Sequence, residues 1–141
     1  MTFMLMYTVY GEPVGKGRPR FVRRGNFTQT YTPAKTKSYE DEIKMFAKAA
    51  MGATEPLETP VEVFLYIRNT VPASYSKKRT EACLSGQEKP TKKPDLDNVA
   101  KAFLDAMNGV VYKDDCQIIS LHVTKVYAEI AAVEVLVKEH G

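Results

Sequence analysis

The sequence predicts a mixed α/β (α+β) fold in one small domain, with a β-sheet of about four strands packed by two to three helices. Three observations lead there. Four segments are apolar with β-branched character, and further segments carry a helical apolar stripe or helix signals. The elements follow one another in the order β, α, β, α, α, β, β, without an internal repeat or a linker. The chain has 141 residues, enough for a single core and too few for two ordinary domains, so residues 1–141 are taken as one unit.

Each element has a local reason. Phe3, Leu5, Tyr7 and Val9 alternate as on the core face of a strand. Gly11 to Gly25 is rich in Gly, Pro and Arg and shows no period, so a basic arm or loop is expected over about 11–34. A helix is expected from Ser38, with Tyr39, Ile43, Ala47 and Ala50 as its stripe. Ser38 with Asp41 resembles a capping box, Glu40–Lys44 is a favourable i,i+4 pair, and Gly52 is the stop. Val61, Val63, Leu65 and Ile67 give the second strand, and Ser76 to Leu84 a short helix. Asn98 to Met107 is a helix with Val99, Phe103 and Ala106 inward, ended by Asn108-Gly109. Gln117–Val126 and Ile130–Val137 are apolar runs around a short connection, which predicts an antiparallel hairpin.

Composition narrows the function classes. No apolar run approaches the ~20 residues of a membrane span, and Met1 to Tyr10 lacks the basic start and cleavage site of a signal peptide. A cytoplasmic protein with no membrane partner is therefore expected. Cys83 and Cys116 lack metal-ligand spacing and are expected to be buried or incidental thiols. His122 and His140 stand too far apart in sequence to suggest a zinc pair.

Charge is distributed unevenly. Net charge is +3, yet Lys16, Arg18, Arg20, Arg23 and Arg24 crowd nine positions. Lys77, Lys78 and Arg79 form a second group, and Lys89, Lys92 and Lys93 a third. Any one run could be a solvated loop; three runs around an acidic cluster favour an electrostatic footprint for nucleic acid. That cluster is Lys93-Pro94-Asp95-Leu96-Asp97-Asn98-Val99-Ala100-Lys101, followed by Tyr112-Lys113-Asp114-Asp115. Carboxylates gathered this closely repel, and a bound cation relieves them. Hard oxygen donors suit Mg²⁺, with Mn²⁺ as a substitute.

Simpler roles are open at each acid. Pro94 favours an extended approach, which would project Asp95 and Asp97 to one side with Leu96 turned inward. Asp97 sits where a helix N-cap belongs, and capping alone would account for it. Asn98, Lys101 and Asp105 share one side of the helix, with Lys101 one turn from Asp97. Asp114-Asp115 would serve as an ordinary turn. It joins the first cluster only if the chain doubles back after a ten-residue helix of ~15 Å.

The motif Lys-Pro-Asp-Leu-Asp-Asn-Val-x-Lys, then Asp-Ala-Met-Asn-Gly, then Tyr-Lys-Asp-Asp-x-Gln-Ile resembles the RusA family of Holliday junction resolvases, common on phages and prophages. The likeness is specific from Pro94 to Ile118. Gly11-x-Pro13, Arg18-Pro19-Arg20-Phe21 and Tyr31-Thr32-Pro33 look like the arm of phage-type members. The resemblance implies a RusA-like fold and a homodimeric, Mg²⁺-dependent endodeoxyribonuclease that nicks four-way DNA junctions symmetrically in recombination and repair. It implies metal ligation by Asp95, Asp97 and Asp115 and an essential lysine at Lys101, with Asp114 in a supporting place. The longer basic segment before the site departs from the family pattern.

Phosphodiester hydrolysis suits this donor set, because carboxylate-bound Mg²⁺ lowers the pKa of its water and draws charge from the phosphate. Lys16, Arg18, Arg20, Arg23, Arg24, Lys92 and Lys93 are the expected phosphate contacts. Two alternatives stand beside this one: a metal-dependent nuclease of broader DNA specificity, and a non-catalytic DNA-binding recombination protein that uses its acids for caps and turns.

Overall fold

The computed structural model describes residues 2–17, 20–25, 27–31 and 34–140, with 20–24 and 27–31 described by their backbone. In chain order the elements are β1 (Met4–Tyr10), β2 (Arg20–Arg24), β3 (Phe27–Tyr31), α1 (Ala34–Met51), β4 (Val61–Thr70), α2 (Lys77–Leu84), α3 (Leu96–Met107), β5 (Ile118–Ala128) and β6 (Ala132–Glu139). A 3₁₀ turn, Asp115–Gln117, leads into β5. The predicted architecture holds: a four-stranded sheet, in the order β1-β6-β4-β5, with three helices among the described residues.

The topology corrects one expectation. β5 and β6 are not a hairpin, because β4 lies between them, antiparallel to β6 and parallel to β5. Residues 129–131 carry the chain past the end of β4, a gap of two strand spacings or about 9.6 Å. Apolar, β-branched runs report that a strand exists and say little about which neighbour it takes.

The arm also differs from an irregular loop. β2 and β3 pair antiparallel as a separate two-stranded sheet, from Arg20 opposite Tyr31 to Arg24 opposite Phe27. A ribbon apart from the main sheet needs no core-facing alternation, so its sequence lacks that signal.

Helix α1 begins at Ala34, one turn before Ser38, and its buried stripe is Thr36, Tyr39, Ile43, Ala47 and Met51, without Ala50. Thr36 was not recognisable as a stripe member because it is polar. Its hydroxyl accepts the Gly17 amide at 2.9 Å. Ser38 is therefore mid-helix and caps nothing. Glu40 pairs outside the helix, and the i,i+4 pair of α1 is Lys37–Asp41 at 3.9 Å. Gly52 ends the helix with φ at +56°, a conformation other residues rarely take.

The stripes of α1 and α3 and the inward residues of β1, β4 and β6 share one core. Tyr39 meets Phe103 edge to face at 5.7 Å. Phe103 is fully buried, and truncating such a residue typically costs about 3–5 kcal/mol. This packing fixes α3 and leaves its polar side toward the arm. No helix among the described residues is long and apolar enough to cross a membrane.

Candidate functional site

Helix α3 starts two residues earlier than capping by Asp97 requires. Asp95 occupies the N-cap position with extended backbone, and its carbonyl accepts the Val99 amide at 3.1 Å. Asp97 therefore stands in the first helical turn, and Leu96 is partly exposed rather than turned into the core. The Asp95 side chain makes no capping hydrogen bond. Ser76 at α2 and Asp114 at the 3₁₀ turn do cap. An aspartate at a helix start that leaves the helix amides alone keeps its carboxylate available for another ligand.

The approach to this helix start includes a cis peptide before Pro94, and two braces hold it. On one side, Lys125 on β5 donates to the carbonyls of Lys92 and Pro94, the latter at 2.8 Å. On the other, the arm passes so close that a Cβ at Gly15 would lie 3.1 Å from Asn98 Cβ and 3.2 Å from Pro94 Cβ. The Lys16 amide then donates to the Asn98 carbonyl at 2.9 Å. Lys125 was missed in the sequence. Its signal is a charge on the same strand parity as Val123, which packs against the core.

A run of four charges extends along α3. Lys16 Nζ lies 2.8 Å from Glu40 and 2.6 Å from Asp105, and Lys101 Nζ lies 3.2 Å from the other Asp105 oxygen. Partial burial alone would raise the Asp105 carboxyl, but hydrogen bonds from Lys16 and Lys101 hold it below its usual range. Burial alone would lower Lys16, and its bonds to Asp105 and Glu40 raise it instead. Asp105 is thus a member of the site that the acidic motif did not single out. Its i,i+4 relation to Lys101 was the available signal.

The chain doubles back after α3. Gly109, at φ +81°, donates its amide to the Tyr112 carbonyl at 2.7 Å. Buried Tyr112 donates its hydroxyl to the Leu104 carbonyl at 2.7 Å. The Leu57 amide donates to the Val111 carbonyl and the Lys113 amide to the Leu57 carbonyl, which ties the returning segment to the body. Asp115 consequently feels the charges of Asp105 and Lys101. A hydrogen bond with Asp114 raises its carboxyl, helped by burial and by the Asp114 and Asp105 charges, while Lys101 lowers it. Asp114 shapes the turn itself. Its carboxylate accepts the Cys116 amide at 3.1 Å, and its own amide donates to Gln117 Oε1 at 2.9 Å. Gln117 in turn donates to the Leu57 and Thr59 carbonyls.

The segment after α3 thus turns back at Gly109 and is tied to Leu57, and the charges of Asp105 and Lys101 act on the Asp115 carboxyl. Among the described residues no three acidic, histidine or cysteine side chains gather as a metal site, so Asp95, Asp97 and Asp115 are not closed around one point. In chemical kind these carboxylates fit a hard divalent cation. A cavity of about 560 Å³ opens beside Asp95 and Asn98, with Lys16, Lys35 and Lys93 on its walls.

The other expected phosphate contacts are scattered. Arg18 lies outside the described residues, and Arg20, Arg23 and Arg24 belong to β2. Lys92 Nζ stands 5.3 Å from the Tyr75 ring, whose face also carries the Arg79 guanidinium at 3.6 Å. Cys83 is buried and Cys116 exposed, both free thiols. His122 stacks on Phe64, and His140 faces Glu62.

A mixed sheet carrying a helix with Asp95, Asp97 and Asp105, with lysine-lined space beside its start, is suited to chemistry on a phosphate backbone. Residues 10–138 match the family Endodeoxyribonuclease RusA, and the chain belongs to that family, which makes it an endodeoxyribonuclease. It is also 38% identical over 138 residues, 96% of each chain, to a Bacillus subtilis (strain 168) protein named YqaN and described as uncharacterized.

Proposed function

We propose that this chain resolves four-way (Holliday) DNA junctions as a homodimer, by paired symmetric nicks that require Mg²⁺, in recombination and repair. Cytoplasmic location follows from that role. The observation that carries the proposal is Asp95, an N-cap residue whose carboxylate does not cap, set beside a lysine-lined cavity. Asp95, Asp97 and Asp115 would hold the ion. Bound there, Mg²⁺ supplies a water of lowered pKa and positive charge for the phosphate oxygens, and Mn²⁺ would serve in its place. Lys101 neutralises charge developing on the phosphoryl group. Lys16, Lys93 and the cavity wall orient the strand, and Lys92 with the arginines of the arm grips flanking phosphates.

A junction has two-fold symmetry, and a two-fold dimer presents equal sites to opposed strands. Paired nicks then follow from geometry. The test incubates the protein with a synthetic four-way junction, a linear duplex and a flap, with and without Mg²⁺. Matched nicks restricted to the junction are expected. Cutting of all three substrates would instead assign a nuclease of broader specificity, and binding without any cut would overturn the catalytic reading.

A further inference from the structure

Lys101 has an acid one turn away in each direction, Asp97 before it and Asp105 after it. Helical side chains lean toward the N-terminus, so an acid four residues before a lysine is the better partner and the reverse order the poorer one. Lys101 takes the poorer partner, bonding Asp105 at 3.2 Å. The choice needs a cause outside the helix, and the arm supplies it. Lys16 is held by its amide to the Asn98 carbonyl and by its ammonium to Glu40. From that position it fixes one Asp105 oxygen at 2.6 Å, which leaves the other facing Lys101. The Lys101 side chain is 61% exposed and Asp105 only 23%. A lone exposed pair would fix little, but here the acceptor is already immobilised.

We infer that Asp105 is a positioning residue: clamped by Lys16, which Glu40 holds in turn, it draws the Lys101 ammonium away from Asp97 and holds it toward the C-terminal half of α3. The consequence is twofold. Asp97 keeps its carboxylate unneutralised for a cation, and Lys101 is held ready for the phosphate. The inference rests on the proposed role of Lys101, and its test is built so that the two can fail separately.

The first measurement does not involve DNA cleavage. Lys101 acylation by a small reactive ester, followed by mass spectrometry, is compared between the wild-type chain and Asp105→Asn. A severalfold faster modification of Lys101 is expected, and an unchanged rate overturns the clamp even if the protein proves to cut no junction. The second is single-turnover junction cleavage for Asp105→Asn, Asp105→Glu, Lys101→Met and the Asp105→Asn/Lys101→Met double variant, with junction Kd measured in chelator. Asp105→Asn is expected to lose at least tenfold in rate with Kd within twofold, and Asp105→Glu to recover part of it. The double variant should be no slower than Lys101→Met alone, since residues acting through one group are not additive. Additive losses would mean that Asp105 acts through the fold rather than through Lys101, and would overturn the inference. Wild-type protein that leaves every junction intact would remove the proposed function, with the acylation comparison still deciding the clamp.

Discussion

Lys16 Nζ lies 2.6 Å from Asp105 Oδ2 across 89 residues of sequence, a direct tie between the arm and the third turn of α3. Its pH dependence follows from the two shifts. The Asp105 carboxyl is lowered, so its contribution to stability is present above the unfolded carboxylate pKa of about 3.9 and is lost as pH falls through its lower folded value. Lys16 is raised, so its contribution is complete below about 10.4 and is lost as pH climbs through the higher folded value. The difference in melting temperature between the wild type and Asp105→Asn should be flat from about pH 5 to 9 and shrink at either extreme. A difference that vanished near neutrality would contradict the tie.

Asp95→Asn, Asp97→Asn and Asp115→Asn each remove one ionised oxygen donor and retain nearly the same shape. Each should reduce junction cleavage by about 100-fold or more, the scale of losing a group that acts on transition-state charge, while junction binding in chelator stays within a few-fold. Nicking at the wild-type rate by a purified variant would exclude that residue from the ion site.

Lys125→Met would leave the Lys92 and Pro94 carbonyls without their donor. Since the site is partly exposed, a loss of about 1–2 kcal/mol in denaturant unfolding is expected, with faster amide exchange around 92–95. The cleavage rate should fall with it, because the loop that presents Asp95 is less constrained. Normal exchange in this loop would show that the brace is redundant.

Replacing Arg18, Arg20 and Arg23 together with Ala should weaken junction binding across all sequences. It should also flatten the salt slope of log K by about 2–3, roughly 0.9 for each phosphate no longer neutralised. An unchanged slope in a salt titration would remove the arm from the DNA path.

Removal of divalent cations with chelator should stop cleavage while junction binding persists, and added Mg²⁺ should restore it. Cleavage that continued under chelation would rule out the carboxylates as cation ligands.

Much of this protein was legible in one dimension. The alternation in β1 and β4, the stripe of Val99, Phe103 and Ala106, and the Asn108-Gly109 stop are local patterns, and each became the element expected. Asp95, Asp97, Lys101 and Asp115 stood out for the same reason, since charge crowded within a few residues is visible without a fold. Pairing between distant segments was not. β4 separates β5 from β6 because the apolar pattern of a strand marks the face it buries and not the neighbour it pairs with, and only the whole sheet selects that neighbour. The first turn of α1 was hidden because a hydroxyl, Thr36, completes its buried stripe. Above all, the sequence places Lys101 equally far from Asp97 and Asp105. Tertiary structure alone decides between them, because a charge follows the partner that is already held, and Lys16 holds Asp105.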